Sequence, residues 1–223
     1  PPVKGYFFCI RMRLLPSTPL WWEGESRLSD ALLPLSSIYS AAAWLREGLS
    51  APAHRASVPV VCVGGAVAGG SGKTPVVLAL AARLLRRRPG LRVHLLTRGY
   101  GGREHGPLRV HSDEHTAQDV GDESLLLAKA APTWVAAQRS AGARAACAAE
   151  PAAELLLMDD GLQHHTLHRD ASLLVIDAEY LLGNNRVLPA GALLARGGGR
   201  ISVVLESVEW PLNSHPISPF LSS

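Results

Sequence analysis

The feature that most constrains this chain is a glycine cluster between a short apolar run and a helical pattern. The apolar run VPVVCV, residues 58–63, has the β-branched residues typical of a buried parallel strand. The cluster ends in Gly72, Lys73 and Thr74, and Pro75 follows at a position where the first turn of a helix tolerates proline. Glycines let the backbone point several N–H groups at one anion, and a helix N-terminus adds its positive dipole end. The segment therefore predicts a phosphate-binding loop.

The lysine and the threonine at the end of this loop indicate a nucleotide and a metal ion. Lys73 is expected to reach the β- and γ-phosphates, and the Thr74 hydroxyl is expected to bind Mg²⁺. The general motif G-x-x-x-x-G-K-[ST] has Val67 in place of its first glycine. A glycine-rich turn without a ligand is the alternative, which the order of strand, loop and helix disfavours. The predicted phosphate-binding residues are Val67, Ala68, Gly69, Gly70, Ser71, Gly72, Lys73 and Thr74.

Composition narrows the class of protein. The 223 residues carry a formal net charge of +3, which permits affinity for phosphates or anionic surfaces. Basic residues are not interleaved with aromatic ones, so we predict no nucleic-acid partner. The three cysteines are far apart in the sequence, which argues against a disulfide framework. We also predict no transmembrane helix, because no apolar run reaches about 18 residues.

Strand-like runs alternate with helical patterns from residue 57 onward. This alternation predicts an α/β fold of the P-loop NTPase type, with a mostly parallel sheet covered by helices on both faces. Ligands of such sheets bind at the carboxyl ends of the strands. The predicted strands are 58–63, 92–97, 133–136, 154–160 and 172–177, and the predicted helices are 74–88, 121–131 and 139–150.

The first 50 residues differ from the rest. Apolar residues recur at helical spacing from Leu28 to Leu45, after Trp21 and Trp22, so we predict an N-terminal amphipathic helix. Ser29 and Asp30 are expected to cap its start. The apolar stripe packs against the following domain, which is the commoner case, or lies in a membrane interface with tryptophan anchors. We predict three segments: this N-terminal segment at 1–50, an α/β core at 51–196, and an irregular Pro- and Ser-rich tail at 197–223.

Two acidic pairs are candidates for chemistry. Asp159 and Asp160 follow a strand-like run, where carboxylates hold Mg²⁺ in P-loop enzymes; an Asx turn completed by Gly161 is the alternative. Asp122 and Glu123 begin a predicted helix. They either complement the helix dipole, or Asp122 accepts a hydroxyl proton during phosphoryl transfer beside a second carboxylate near the metal.

Two further motifs have weaker interpretations. Arg98 in TRGYGG, residues 97–102, either positions a phosphate or substrate or lies exposed in a glycine-rich connection. His164 and His168 have the spacing of two zinc ligands on a helix, but the sequence offers no third ligand nearby, so we do not predict a zinc site.

Taken together, these motifs resemble the tetraacyldisaccharide 4′-kinase (lipid A 4′-kinase) family. The pattern of that family joins a V-G-N-L-T-x-G-G-x-G-K-T-P loop to S-R-G-Y-G, V-G-D-E, M-D-D-G-x-Q and G-N-G-R-x-L-P-A-G. The matching segments have the same order and spacing across about residues 20–196. They are 63–75, 97–101, 120–123, 158–163, Arg169-Asp170 with Asp177, and 183–191.

The resemblance implies a peripheral membrane kinase that uses ATP and Mg²⁺ to phosphorylate the 4′-hydroxyl of a lipid-linked, tetraacylated glucosamine disaccharide in lipid A biosynthesis. It implies that Lys73 and Asp122 are catalytic, with Asp122 activating the acceptor hydroxyl. It implies that residues 20–50 engage membrane and lipid substrate. The location would be the cytoplasmic face of the inner membrane in a bacterium, or an organelle in a eukaryote. The implied metal-binding residues are Thr74, Glu123, Asp159 and Asp160.

Two features depart from the pattern of the family. Leu194 and Ala195 stand where the pattern has Arg-Glu, and the family continues into a further C-terminal lobe. We therefore expect a C-terminally truncated or divergent member that binds ATP better than it turns ATP over. Two other functions stay open, namely a nucleotide-dependent switch or adaptor, and a catalytically impaired remnant of the kinase.

Overall fold

The computed structural model describes residues 19–22, 26–49, 53–65, 67, 72–164, 166–177, 182–194 and 202–206. These residues fall into two compact units, which we describe separately. The core unit comprises 51–64 and 73–172, and the helix-pair unit comprises 1–50, 65–72 and 173–223. The units therefore group the residues differently from the three predicted segments, because the chain enters the helix-pair unit three times.

The sheet of the core unit consists mainly of parallel strands, which confirms the predicted fold class. Its strand order is β3-β4-β2-β5-β1. The pairs β1–β5, β5–β2 and β2–β4 are parallel, whereas β3 pairs antiparallel with β4. The two-residue strand β3 was not predicted, because so short a strand leaves no pattern in the sequence. The strands are β1 (Val60–Gly65), β2 (Val93–Thr97), β3 (Leu108–Arg109), β4 (Thr133–Val135) and β5 (Leu155–Asp159).

Four helices connect these strands. The predicted helix over 121–131 is shorter and is preceded by a separate turn of helix, because Gly121 interrupts the helical backbone with a φ of +83°. The others begin and end within two residues of the prediction. The helices are α3 (Lys73–Arg87), α4 (Ala117–Val120), α5 (Asp122–Ala128) and α6 (Arg139–Ala148).

Burial of the central strands explains why these sequences form a sheet. Every residue of β2 is buried, and so is every residue of β5 after Leu155. Removing such near-continuous apolar runs from water is the main stabilising contribution in a parallel sheet. The register pairs Val63 with Asp159 and Thr97 with Val135, so the carboxyl ends of β1, β2, β4 and β5 share one edge. That edge is where an α/β sheet binds its ligand.

The helix-pair unit contains α1 (Arg27–Ala31), α2 (Leu33–Gly48) and a single 3-10 turn at Leu20–Trp22. The N-cap of α1 is Ser26, whose Oγ accepts a hydrogen bond from the Ser29 amide at 3.1 Å. The predicted caps Ser29 and Asp30 were wrong, because the helix begins one turn earlier and both residues lie inside it.

Two strands also contribute to this unit. β6 (Ala171–Asp177) pairs in parallel with β7 (Ser202–Glu206). The tail at 197–223 was predicted to be irregular, and this was wrong for the five residues of β7, since Val203, Val204 and Leu205 form a short apolar run that favours a strand. Within the described ranges, no helix combines the length and the apolar character needed to cross a bilayer.

Candidate active site

The predicted phosphate-binding loop leads from β1 into α3. Gly72, directly before the helix, has a φ of +67°, a left-handed conformation that favours glycine. Lys73 is the first residue of α3, so the N-terminal turn of that helix begins where the loop ends. The phosphate-binding role of the loop stays a prediction for Ala68, Gly69, Gly70 and Ser71, which lie outside the described residues.

The structure brings four of the predicted site residues together at the carboxyl edge of the sheet. The Thr74 hydroxyl donates a hydrogen bond to Asp159 Oδ2 at 3.2 Å, and both side chains are buried. The Lys73 Nζ lies 3.6 Å from Asp160 Oδ1, with the lysine largely covered and the aspartate exposed. The first two residues of α3 therefore face the two carboxylates that end β5.

Asp159 is electrostatically unusual. Burial raises its pKa from 3.8 to about 7, and the negative charges of Glu123 and Asp160 act in the same direction. The hydrogen bond from Thr74 and the positive charge of Lys73 oppose this rise in pKa. Since Glu123 contributes, the structure also places this predicted metal-binding residue close enough to act on Asp159. A cation among these three carboxylates would reverse the shift in pKa.

The residues present fit a magnesium ion. Within the described part of the chain, the buried Oδ1 of Asp159 has no hydrogen-bond partner, so it is an acceptor that a cation can satisfy. No three His, Cys, Asp or Glu side chains among the described residues form a ready-made metal cage. Mg²⁺ does not require such a cage, because this ion takes one or two protein carboxylates and fills its other positions with phosphate and water.

A neighbouring Arg-Asp pair fixes the turn that carries these carboxylates. Asp160 has a φ of +52° and donates its amide N–H to Val63 O at 2.9 Å. Arg169 Nη1 donates to Gly161 O at 3.2 Å and to Leu162 O at 2.7 Å, which holds the chain just after the turn. Asp170 Oδ2 accepts the amide N–H of Val60 at 2.9 Å at the start of β1. This pair therefore positions the site and does not belong to its reacting groups.

Asp122 and Glu123 occupy the first turn of α5, as predicted, and both are exposed. Helix α5 lies against α3, β2 and β4. In the described part of the chain, Asp122 forms no hydrogen bond or ion pair with Lys73, Asp159 or Asp160. The helix-dipole and proton-acceptor interpretations of Asp122 are both compatible with this position.

The glycine-rich TRGYGG turn packs against the backbone that precedes Asp122. A Cβ on Gly121 would lie 2.3 Å from Tyr100 O, and one on Gly102 would lie 2.6 Å from Asp119 O. Arg103 and Glu104 continue this contact by donating their amides to Gln118 O and Asp119 O. The turn therefore sets the position of the first residue of α5. Arg98 is exposed, and its proposed contact with phosphate or substrate stays a prediction.

Arg139 is a residue that sequence reasoning missed. Its side chain is fully buried at the start of α6, where Nη1 donates to Ala136 O at 2.6 Å. Among the described residues, its Nε and Nη2 have no hydrogen-bond partner. Burial lowers its pKa to about 10, against the attraction of Asp160 and Asp159. The available signal was an arginine at the first position of an alanine-rich helix, four residues after the end of β4.

The two histidines, His164 and His168, both lie in the segment of chain that leads to Asp170. His168 Nε2 lies 3.7 Å from Asp170 Oδ1, and the His168 amide donates to His54 O at 2.8 Å. His164 donates its amide to Gly161 O at 3.1 Å. These contacts connect both histidines to the segment that carries Arg169 and Asp170.

The helix pair α1–α2 reverses the usual distribution of polar and apolar side chains. Ser29 and Ser36 are buried, while Ile38 is 65% exposed and Trp44 is 75% exposed. Exposed apolar patches of this kind mark contact surfaces, and the packing and membrane-interface interpretations of this stripe both stay predictions. The exposed large apolar residues, which we call the apolar face, are Leu28, Leu33, Leu35, Ile38, Tyr39, Trp44, Leu45 and Leu49.

Comparison with known proteins gives consistent matches. The family described as "Tetraacyldisaccharide-1-P 4'-kinase" matches residues 28–201. The tetraacyldisaccharide 4'-kinase of Parvibaculum lavamentivorans is 55% identical over 183 residues, which are 80% of this chain and 52% of that protein. The protein of the same name from Dinoroseobacter shibae is 49% identical over 193 residues, which are 85% of this chain and 54% of that protein.

A solved structure also matches. It is described as the "apo" form of LpxK from Aquifex aeolicus in complex with ATP. The TM-score is 0.63 at 33% sequence identity, and the match covers 75% of this chain and 54% of that one. The chain thus spans about half the length of the curated relatives and of the solved structure that it matches.

Proposed function

Since this chain belongs to the tetraacyldisaccharide-1-P 4′-kinase family, we propose that it transfers the γ-phosphoryl group of ATP to the 4′-hydroxyl of a tetraacylated glucosamine disaccharide lipid. The observation that carries the proposal is the contact of Thr74 with Asp159 at the carboxyl edge of the sheet, beside Lys73. This edge provides the cation, the hydroxyl and the carboxylate that a P-loop kinase needs around the phosphates.

Binding of the phosphates falls to Lys73 and to the start of α3. The Lys73 ammonium and the positive dipole end of the helix neutralise oxygens on the β- and γ-phosphates. Thr74 and Asp159 would hold Mg²⁺, with Glu123 and Asp160 near it. Bound with ATP, Mg²⁺ would supply the positive charge that offsets the charge developing during transfer. Asp159 must give up its proton to act as a ligand. With a pKa of about 7, it can do so near neutral pH.

The transfer itself requires one proton acceptor. The 4′-oxygen forms a new bond to the γ-phosphorus, the bond from that phosphorus to the bridging oxygen breaks, and ADP leaves with the electron pair. The hydroxyl proton moves to the Asp122 carboxylate. Asp122 suits this role because it is exposed at the start of a helix that lies against α3, so an acceptor from solvent can reach it.

The acceptor lipid gives a reason for the apolar face. We propose that α1 and α2 lie on the membrane surface with Ile38, Trp44 and their neighbours inserted among acyl chains. Isolated exposed apolar residues are ordinary, but eight large ones within 22 residues form a patch of the kind that marks a lipid or protein contact. A tryptophan at such a surface suits the boundary between headgroups and acyl chains.

Transfer of label from γ-³²P-ATP to tetraacyldisaccharide lipid in vesicles tests the proposal. Lys73→Ala should lower the rate roughly 100-fold or more, because it removes the cation that stabilises the charge on the transferred phosphoryl group. Lys129→Ala is the matched control, since Lys129 is an exposed lysine at the C-terminal end of α5, and it should keep the rate of the unmodified chain. Equal rates for both variants would refute the assigned phosphate site. Release of phosphate that does not depend on the lipid would indicate a nucleotide switch instead.

A further inference from the structure

The helix pair contacts a loop of its own unit, residues 182–194. Serine side chains of α1 and α2 form hydrogen bonds to this loop. Ser29 Oγ donates to Ala190 O at 2.5 Å, and Ser36 Oγ donates to Val187 O at 2.8 Å. The Ala190 amide N–H donates a hydrogen bond to Ser36 Oγ at 3.1 Å. These bonds are buried or partly buried, so breaking one leaves an unsatisfied polar group in the interior, which costs more than a bond at the surface.

Asn184 is the centre of this contact. Its Nδ2 donates to Trp21 O, Ser29 Oγ and Ala190 O at 2.9–3.0 Å, and its backbone N–H donates to Trp22 O at 2.8 Å. Its Oδ1 accepts the Arg186 amide at 3.1 Å. Three oxygen acceptors on one side and an N–H donor on the other fix which end of the amide is the nitrogen. One side chain therefore contacts the 3-10 turn, α1 and, at Arg186 and Ala190, the loop itself.

The other end of the same loop reaches the phosphate-binding loop. Leu193 donates its amide to Arg186 O at 3.0 Å and accepts the Leu188 amide at 2.9 Å, which closes the loop on itself. Leu193 also forms an antiparallel backbone bridge with Val67. Val67 is buried and is the first residue of the phosphate-binding motif. A continuous set of hydrogen bonds thus runs from α1 and α2 through the 182–194 loop to Val67.

We propose that the 182–194 loop couples contact of the apolar face with a bilayer to nucleotide binding, and that Asn184 is the positioning residue on which this coupling depends. The inference rests on the proposed function. Insertion of the apolar face into a bilayer restricts the helix pair, and the bonds of Asn184 and Ser36 pass that restriction to Leu193 and Val67. When the backbone at Val67 is already restricted, less conformational entropy is lost on ATP binding. Bilayer contact therefore raises the affinity for ATP. By linkage, ATP raises affinity for the bilayer by the same factor.

The chemistry of Asn184 suggests two informative variants. Asn184→Ala removes all four side-chain bonds. Asn184→Asp keeps the shape but places a carboxylate oxygen against three oxygen acceptors, so it should behave like the alanine variant and not rescue the coupling. Ser37→Ala is the matched control, because Ser37 is the exposed neighbour of Ser36 on α2. Within the described residues, its side chain bonds only to Leu33 O.

The test is the dissociation constant of ATP with Mg²⁺, measured with and without vesicles of phosphatidylethanolamine and phosphatidylglycerol. In the unmodified chain and in Ser37→Ala, vesicles should tighten ATP binding at least threefold. In Asn184→Ala and Asn184→Asp, the ratio of the ATP dissociation constants without and with vesicles should fall to about one. Both variants should still bind vesicles in flotation. Ser36→Ala removes two other bonds between α2 and the same loop, so it should give an intermediate ratio. It provides the result if the Asn184 variants do not fold.

The outcomes separate the two proposals. If the unmodified chain binds ATP equally with and without vesicles, the coupling is overturned and the proposed function is untouched. If Asn184→Ala and Ser36→Ala keep the full ratio, the 182–194 loop does not carry the coupling. If the unmodified chain binds no ATP under either condition, the proposed function fails and the coupling fails with it.

Discussion

The core unit and the helix pair use burial in opposite ways. In the core unit the strands bury mainly apolar residues, and Thr74 and Asp159 are buried at the carboxyl edge, where they face each other. In the helix pair, Ser29 and Ser36 are buried and the large apolar residues are exposed. Each departure from ordinary burial marks a surface that needs something from outside the chain. We propose that a cation and phosphates satisfy the first surface, and that acyl chains satisfy the second.

The magnitudes support this comparison. A large apolar side chain left in water forgoes about 1.5–3 kcal/mol relative to full burial. Eight such residues on one pair of helices are a substantial loss unless a partner covers them. At the carboxyl edge, the buried Oδ1 of Asp159 lacks a partner among the described residues, and an unpaired buried acceptor costs about 1–3 kcal/mol.

The largest expected effect is on turnover, at the proposed proton acceptor Asp122. Asp122→Asn should lower turnover by about 10²–10⁴-fold, because a general base contributes that much, and should change ATP affinity little. Asp113→Asn, at another exposed aspartate of the core unit, is the control and should leave turnover as it is. Steady-state rates and ATP affinities of the two variants measure this. Loss of ATP affinity in Asp122→Asn would instead place Asp122 among the metal ligands.

The next effect concerns Mg²⁺ and pH. Because the pKa of Asp159 is raised to about 7, a proton competes with Mg²⁺ below that pH. Mg²⁺-dependent ATP affinity should therefore increase about tenfold between pH 6 and pH 7.5 and then level off. Asp159→Asn should weaken the Mg²⁺ dependence and remove its change with pH. Calorimetric titrations at fixed ATP and varied Mg²⁺ measure both, and an unchanged pH profile in Asp159→Asn would assign the dependence to another group.

The same carboxylate makes a prediction about stability in the absence of metal. The folded chain keeps the Asp159 proton up to about pH 7, whereas the unfolded chain loses it near pH 3.8. The folded state then binds more protons, so the free energy of unfolding falls as pH rises from about 4 to 7. Asp159→Asn should stabilise the metal-free chain at pH 8 by roughly 1–3 kcal/mol. Denaturant unfolding at pH 5 and pH 8 tests this, and a variant destabilised equally at both would contradict it.

The smallest effect is on the apolar face. Trp44→Ser and Ile38→Ser should each weaken vesicle binding by about tenfold, since each removes one large side chain from the acyl region. The free energy of unfolding should change little, because both side chains are exposed in the folded chain. Flotation with vesicles measures binding. A loss of folding stability in place of a loss of vesicle binding would favour the packing interpretation of this stripe.

The sequence was most informative where one local pattern decides the structure. The β-branched run before the glycine cluster predicted β1, and the order of loop, lysine and proline predicted the start of α3. The Asp-Asp pair after an apolar run predicted the strand end at Asp159. These are short-range features, in which backbone preference and hydrophobic pattern agree.

The rest depended on contacts between distant residues. No local signal shows that Arg139 is buried, or that Asn184 bonds to Trp21 and Ser29 more than 150 positions away. Helical periodicity located the apolar stripe, but it could not tell which side of the helix faces the protein. That side was decided by the 182–194 loop, whose carbonyls accept bonds from Ser29 and Ser36.

The central claim is that the carboxyl edge of the core unit holds the nucleotide and that the apolar face does not. The most direct measurement is the affinity for ATP with Mg²⁺, without vesicles, of the unmodified chain, Lys73→Ala and Ile38→Ser. We predict that Lys73→Ala loses at least tenfold in affinity, while Ile38→Ser binds ATP like the unmodified chain. Equal affinities in all three, or a larger loss in Ile38→Ser than in Lys73→Ala, would contradict this division between the two regions.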